Sequence, residues 1–147
     1  MIAIGSDHAG YKLKAQIVEF LESKGLEVKD FGTNGPESVD YPDFGQAVAK
    51  AVSSGECEKG IVICGSGIGI SIAANKVPGV RAALCTDSLM AKLSRLHNNA
   101  NVLALGERII GPDLAMDIVE AWITTDFSGD NRHSCRIQKI TNIEKNL

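Results

Sequence analysis

The chain has little of what marks the specialised protein classes. Aromatic residues make up 5% of it, and there are 4 prolines in 147 residues. No segment is low in complexity, no unit repeats and no linker divides it, which excludes repeat arrays and tandem domains. Charge of neither sign dominates: Lys plus Arg is 15, Asp plus Glu is 18, and the net charge is −3. That balance argues against general binding to nucleic acid or to an anionic membrane. Long hydrophobic runs are missing. The longest uncharged stretch, taking in Ile61 to Asn75, is too short to span a bilayer and is broken by Gly, Ser and Asn. Cys57, Cys64, Cys85 and Cys135 form neither a CxxC pair nor a zinc-finger spacing, so no metal site is expected. Residues Met1 to Asp7 show no basic segment leading into an apolar one. Reduced thiols and a cytoplasmic location are therefore expected.

What remains is ordinary globular composition, 44% hydrophobic and 22% charged, with 15 glycines. A chain of this size suits a single domain, residues 1–147, and buries about 68–70% of its unfolded surface. Short apolar runs alternate with amphipathic stretches. Strands are predicted at Ile2–Ser6, Leu26–Phe31, Gly60–Cys64, Arg81–Cys85 and Asn101–Leu105. Helices are predicted at Gly10–Lys24, Phe44–Val52, Ser66–Asn75, Ser88–His97, Pro112–Thr124 and Arg132–Lys145, with a loop over Gly32–Asp43. Strand and helix alternating in this way imply an α/β, three-layer αβα Rossmann-like domain with a five-stranded parallel sheet. Strand orders 2-1-3-4-5 and 2-1-3-5-4 both satisfy the pattern. Ligands of such sheets sit beyond the carboxyl ends of the strands. That rule selects Asp7-His8, Thr33 to Tyr41, Cys64 to Gly69, Thr86-Asp87 and Gly106 to Arg108.

The segment Cys64-Gly65-Ser66-Gly67-Ile68-Gly69 follows the third strand and opens a helix. Its glycines let backbone approach a ligand, and free N–H groups at a helix start favour an anion. The spacing is GxGxG, not the GxGxxG of a dinucleotide fingerprint, although Asp87 lies 22 residues after Gly65. Tight strand-to-helix packing alone would also explain the glycines. Cys64 could be an inert small hydrophobe. Directly before a helix N-terminus, however, a cysteine is favoured as thiolate. A thiolate base beside Ser66 and the amides of residues 65 to 69 suits proton abstraction next to a carbonyl. Acyl transfer by a Cys–His pair is the competing chemistry.

Arg132, Arg136 and Lys139 share one helix face, with His133 adjacent and Ile137, Ile140, Ile143 and Leu147 as a neighbouring apolar stripe. The arrangement fits a solvated face or a phosphate clamp. The apolar stripe requires a cover, and a second copy of the chain would supply it, giving a homodimer. Asp7 also fits a capping role and Asp40-Tyr41-Pro42 a turn. His97-Asn98-Asn99 also fits a helix end, and Arg108 a surface ion pair.

Taken together, Ser6-Asp7-His8-Ala9-Gly10, Asp40-Tyr41-Pro42, Cys64 through Lys76, His97-Asn98-Asn99 and Arg132-His133 resemble the type B ribose-5-phosphate isomerases. That group also includes allose- and galactose-phosphate isomerases. The resemblance covers essentially the whole chain and implies interconversion of ribose 5-phosphate and ribulose 5-phosphate, a step of the pentose phosphate pathway. It implies that Cys64 moves a proton between C1 and C2, with Ser66 and the amides of Gly65, Gly67 and Gly69 holding the enediolate. His97 would help open the sugar ring, Asp7 and Asp40 would face its hydroxyls, and Tyr41 would lie against the ring. His8, Arg108, Arg132, His133 and Arg136 would hold the phosphate, some of them arriving with Asn98 from a second subunit. It also implies a C-terminal helix packed on that subunit and no metal or organic cofactor, and leaves open whether dimers pair into tetramers. One branch of the family places a glutamate base where this chain has Ser71, so the chain resembles the cysteine branch. Ser66 stands where many members carry threonine, which suggests a slightly larger pocket and a broader sugar range. A non-catalytic phosphosugar or nucleotide sensor and a redox-active thiol enzyme are the alternatives from other classes.

Overall fold

A computed structural model describes residues 1–147. In chain order the elements are β1 (Ile2–Ser6), α1 (Tyr11–Ser23), β2 (Val28–Asp30), α2 (Tyr41–Ser53), β3 (Lys59–Cys64) and α3 (Ile68–Asn75). They continue with β4 (Ala82–Leu84), α4 (Ser88–Asn98), β5 (Val102–Gly106), α5 (Pro112–Thr124) and α6 (Asn131–Lys145). The five strands form one parallel sheet in the order β2-β1-β3-β5-β4. Of the two orders the sequence allowed, the chain adopts the one in which β5 inserts between β3 and β4.

The central strands are apolar throughout because both faces are covered. Alternation along β3 sends Ile61 and Ile63 into the core beneath α1 and α5, and Val62 and Cys64 into the core beneath α2 and α3. The first core also takes Leu13, Ile17, Ile118 and the fully buried Trp122. Truncating one of these isoleucines to Ala costs about 2–5 kcal/mol, the usual cost of a core cavity.

Strands β2 and β4 are shorter than the expected Leu26–Phe31 and Arg81–Cys85, and two helix starts differ from expectation for local reasons. Helix α2 begins at Tyr41, inside the expected loop, because Pro42 sits in the first turn where its missing N–H costs nothing. Helix α3 begins at Ile68, not at Ser66, because Gly67 is left-handed (φ 78°). A side chain at Gly67 would meet Leu84 Cδ1 at 2.6 Å and the Leu105 backbone at 2.8 Å. Glycine is required there on both counts.

In the observed order the winding reverses at the β1/β3 pair: the first crossover leads from β1 to β2 on one side, and the second carries the chain from β2 back across β1 to β3 on the other. The crevice beyond those two carboxyl ends is where such folds bind ligands. Helices run against the strands, so helix ends such as that of α4 lie at the opposite, amino edge of the sheet.

Candidate active site

Three strand-to-helix turns meet at the carboxyl edge. After β1 come Asp7 and His8, after β3 Cys64 to Gly67, and after β5 Glu107 and Arg108. Backbone bonds join them: Asp7 N–H donates to Ile63 O (3.3 Å), Glu107 N–H to Cys64 O (3.0 Å) and Arg108 N–H to Gly65 O (2.9 Å). They enclose a cleft of about 540 Å³ lined by Asp7, His8, Tyr41, Cys64, Gly65, Ser66, Gly69 and Arg108, with Ala9, Ile68 and Ile109.

Cys64 is 4% exposed and closes β3 at the floor of this cleft. The Gly67 N–H donates to its Sγ at 3.1 Å. The sulfur thus receives a backbone donor directly before the start of α3. Cys85, which follows β4, shows the contrast. Burial pushes its thiol up to about 11, only partly opposed by the Ser94 hydrogen bond. Its sulfur faces the Ala83 carbonyl at 3.7 Å. The two strand-end cysteines thus differ in their partners: Cys64 Sγ receives a backbone N–H, and Cys85 Sγ faces a carbonyl.

Ser66 Oγ accepts from Ile68 N–H at 3.1 Å, so the hydroxyl hydrogen remains available to a ligand. Tyr41 packs directly over Gly69, where a Cβ would meet the Tyr41 ring at 2.6 Å. Asp7 is buried and its carboxylate accepts from Ala9 N–H at 2.9 Å. It shapes the first turn; the N-cap of α1 is Gly10, not Asp7. His8 Nδ1 accepts from Val39 N–H at 3.2 Å, which leaves Nε2 as the protonated nitrogen of the neutral ring. Asp87 caps α4 by accepting from Met90 N–H at 2.8 Å, so it serves the helix and no ribose.

Five of the expected site residues are gathered elsewhere. His97 and His133 stack with ring centroids 4.3 Å apart and planes 17° from parallel. His97 ends α4 beside Asn98, and His133 lies in the first turn of α6 with Arg132 and Arg136. The chain enters β5 just after the His97 turn, where Gly60 N–H donates to Asn101 O at 2.9 Å. Cys64 lies four residues further along β3, roughly 13 Å up the sheet. The imidazoles of one chain therefore stand at the other edge from its own cleft. Asp40 is also absent from the cleft wall: it is exposed at the N-cap of α2 and makes no side-chain capping bond there. Its neighbour Tyr41 reaches the cleft because α2 begins at that residue.

Some residues escaped the sequence reading. Lys14 is 1% exposed and its Nζ donates to Asp30 (2.5 Å) and Asn34 (2.7 Å), anchoring the loop that leads to Tyr41. Its place on the apolar side of α1 was a usable signal, because a buried ammonium demands partners. Arg81 and Arg95 hold the turn after His97. Arg81 Nη2 donates to Asn99 O (2.9 Å), and Arg95 Nη1 donates to Asn99 Oδ1 (2.9 Å) and Ala100 O (2.7 Å). No local motif foretold them, since most of their partners are backbone carbonyls.

Burial and the neighbouring His97 and Arg132 charges hold His133 below the usual imidazole range. No group of three or more His, Cys, Asp or Glu side chains is arranged to hold a metal. No helix is long and apolar enough to cross a membrane.

Comparison with known proteins agrees with this geometry. Residues 2–140 match the Ribose/Galactose Isomerase family model. Ribose-5-phosphate isomerase B of Escherichia coli is 50% identical, over 98% of this chain and 96% of that protein. D-erythrulose-4-phosphate isomerase of Pectobacterium atrosepticum is 46% identical, over 95% of this chain and 91% of that protein. The solved structure of Clostridium thermocellum ribose-5-phosphate isomerase B superposes with a TM-score of 0.97 at 65% identity, covering 99% of this chain and 97% of that one. A thiol held by a backbone amide at the switch point of this sheet is thus a feature of a chain that belongs to the ribose/galactose isomerase family and is an aldose–ketose isomerase.

Proposed function

We propose that the chain interconverts ribose 5-phosphate and ribulose 5-phosphate, with Cys64 as the base, in a homodimer whose two copies share each site. The observation that carries this reading is the Gly67 N–H donating to Cys64 Sγ at 3.1 Å on the cleft floor. In the open-chain aldose the thiolate takes the C2 hydrogen as a proton. The freed electron pair forms the C1–C2 double bond, and the carbonyl oxygen becomes an enediolate. The glycine-rich loop amides and the Ser66 hydroxyl stabilise that charge. Return of the proton to C1, with loss of the O2 proton and gain of one at O1, gives the ketose. C1 is reduced as C2 is oxidised, so atoms and electrons balance within the sugar.

The cleft of one chain holds His8 and Arg108 but no second cation. A two-fold partner supplies what is missing: its amino edge carries His97 for ring opening, and Asn98, Arg132, His133 and Arg136 for the phosphate. Asp40 belongs to this outer rim, facing sugar hydroxyls once the site is closed. The surface that such a partner would cover is present. Ile68 and Ile72 on α3, Leu89 and Leu93 on α4, and Ile140 and Ile143 on α6 are large apolar side chains left exposed around β4. An arrangement of this kind closes under two-fold symmetry because each copy gives and receives the same elements.

A turnover panel tests the assignment, using the phosphates of ribose, allose, galactose and erythrulose beside the unphosphorylated sugars. Fastest turnover of the ribose 5-phosphate pair is the expected result. A faster four- or six-carbon phosphate would move the assignment to that sugar on the same machinery. Binding of every phosphosugar with turnover of none would identify a sensor.

A further inference from the structure

Helix α1 starts without a cap of its own. Its N-cap is Gly10, and its first turn contains no acidic residue. The first N–H groups of any helix lack intrahelical partners. Here the Leu13 N–H donates to Glu107 Oε1 at 2.6 Å, although Glu107 is 94 positions away in the chain. Glu107 belongs to the turn after β5 and immediately precedes Arg108. The backbone of that turn is bonded to Cys64 and Gly65. One carboxylate therefore ties the first turn of α1, which follows His8, to the Arg108 turn, while backbone ties the Arg108 turn to the thiol. A capping side chain at Gly10 is excluded, because a Cβ there would meet Ile63 Cγ2 at 2.7 Å and the Ile63 carbonyl oxygen at 2.8 Å. The cap comes instead from the residue beside a ligand-facing arginine.

We infer that Glu107 is a positioning residue that sets the separation of His8 and Arg108, the two basic side chains of one chain's cleft. This rests on the proposed phosphosugar site and deepens it. The carboxylate governs phosphate binding more than proton transfer, because the Gly67 N–H reaches Cys64 Sγ within one turn, and that turn is joined to Glu107 and Arg108 by backbone bonds that the Glu107 side chain does not make. The contact is charge-assisted and short, so a change in side-chain reach is felt in full.

Steady-state kinetics with ribose 5-phosphate on Glu107→Ala, Glu107→Asp, Glu107→Gln and Arg108→Ala test the inference. Glu107→Ala and Glu107→Asp are expected to raise KM about tenfold with kcat within about twofold, the scale of one lost charge-assisted hydrogen bond. Glu107→Gln keeps an acceptor oxygen at the same reach and is expected to keep KM within about threefold. If Glu107→Ala does not fold, the Asp and Gln variants carry the comparison. Equal KM in the Asp and Gln variants overturns the inference, as does a kcat loss that matches or exceeds the KM rise. Arg108→Ala separates the two levels of failure. A normal KM there removes the phosphosugar site itself. A raised KM there beside a normal KM in Glu107→Asp keeps the site and removes the role of Glu107.

Discussion

At the carboxyl edge of the sheet the ligand-facing groups are largely backbone; at the amino edge they are almost all side chains. The first region has a buried thiol, a run of loop amides and one arginine. The second has a stacked pair of imidazoles with Arg132 and Arg136 beside them. The first can stabilise an enediolate but is short of positive charge for a phosphate dianion. The second has the charge but no buried base beside it. Each is chemically incomplete, and what one lacks the other holds. The difference is what the proposed two-copy site rests on, and the fold supplies its reason. Parallel strands put strand ends at one edge and helix ends at the other, so one chain cannot bring its own two regions together.

The comparison breaks most visibly at the thiol. Cys64→Ala is expected to lower kcat about 10³-fold, the range of a lost general base, while calorimetry still detects ribose 5-phosphate binding. Retained turnover would mean that the base lies elsewhere. Next in size is complementation. His97→Ala and Cys64→Ala are each expected to be nearly inactive on the cyclic aldose phosphate. Mixed and allowed to exchange subunits, equal amounts form mixed dimers with one intact site each, about a quarter of full activity under two-fold symmetry. A mixture that stays inactive would place His97 outside the partner's cleft.

The phosphate clamp should yield a smaller effect. Arg132→Ala or Arg136→Ala is expected to raise KM for the phosphosugar about tenfold, the loss of one charged hydrogen bond, and to leave turnover of free ribose unchanged. Unchanged kinetics in both variants would reduce these arginines to a solvated face. A gentler probe is the ionisation of His133, held below its ordinary 6.5 by burial and by His97 and Arg132. The unfolded chain takes up that proton near 6.5 and the folded chain only at lower pH. Stability is therefore complete above 6.5 and falls as the pH drops toward the folded value. Proton NMR should show His133 titrating below 6.5, with inorganic phosphate moving the midpoint upward. A midpoint indifferent to phosphate would detach the imidazole pair from the anion site. Smallest of all is the pocket change at Ser66. Ser66→Thr adds one methyl and is expected to lower six-carbon relative to five-carbon turnover by up to about tenfold, the range for a single methylene. An unchanged ratio would remove the link between Ser66 and sugar range.

Much of the fold was legible because its signals are local. Strand β1 at Ile2–Ser6 and helix α5 at Pro112–Thr124 occur at the residues expected from the apolar runs and the Pro signal. The carboxyl-edge rule likewise brought Asp7, His8, Tyr41, Cys64, Ser66 and Arg108 to one cleft. Less legible were features that depend on partners far along the chain. Lys14 is buried because Asp30 and Asn34 receive it, and the His97 turn is held by Arg81 and Arg95 through carbonyl oxygens. Asp40, read beside Tyr41 as part of one motif, is not part of the cleft wall that Tyr41 joins. Adjacent residues at a helix start face different directions, so adjacency in sequence does not imply adjacency in a site.

By itself the sequence determined the alternation of strand and helix, the glycines of the third turn and the thiol that precedes them. These follow from periodicity and backbone sterics, which act over a few residues. Only the tertiary structure decided that β5 lies between β3 and β4, that Gly67 aims its N–H at the sulfur, and that the imidazoles stand at the opposite edge. Those outcomes depend on which distant segments pack together, and packing free energy belongs to the assembled core and to no single stretch of chain.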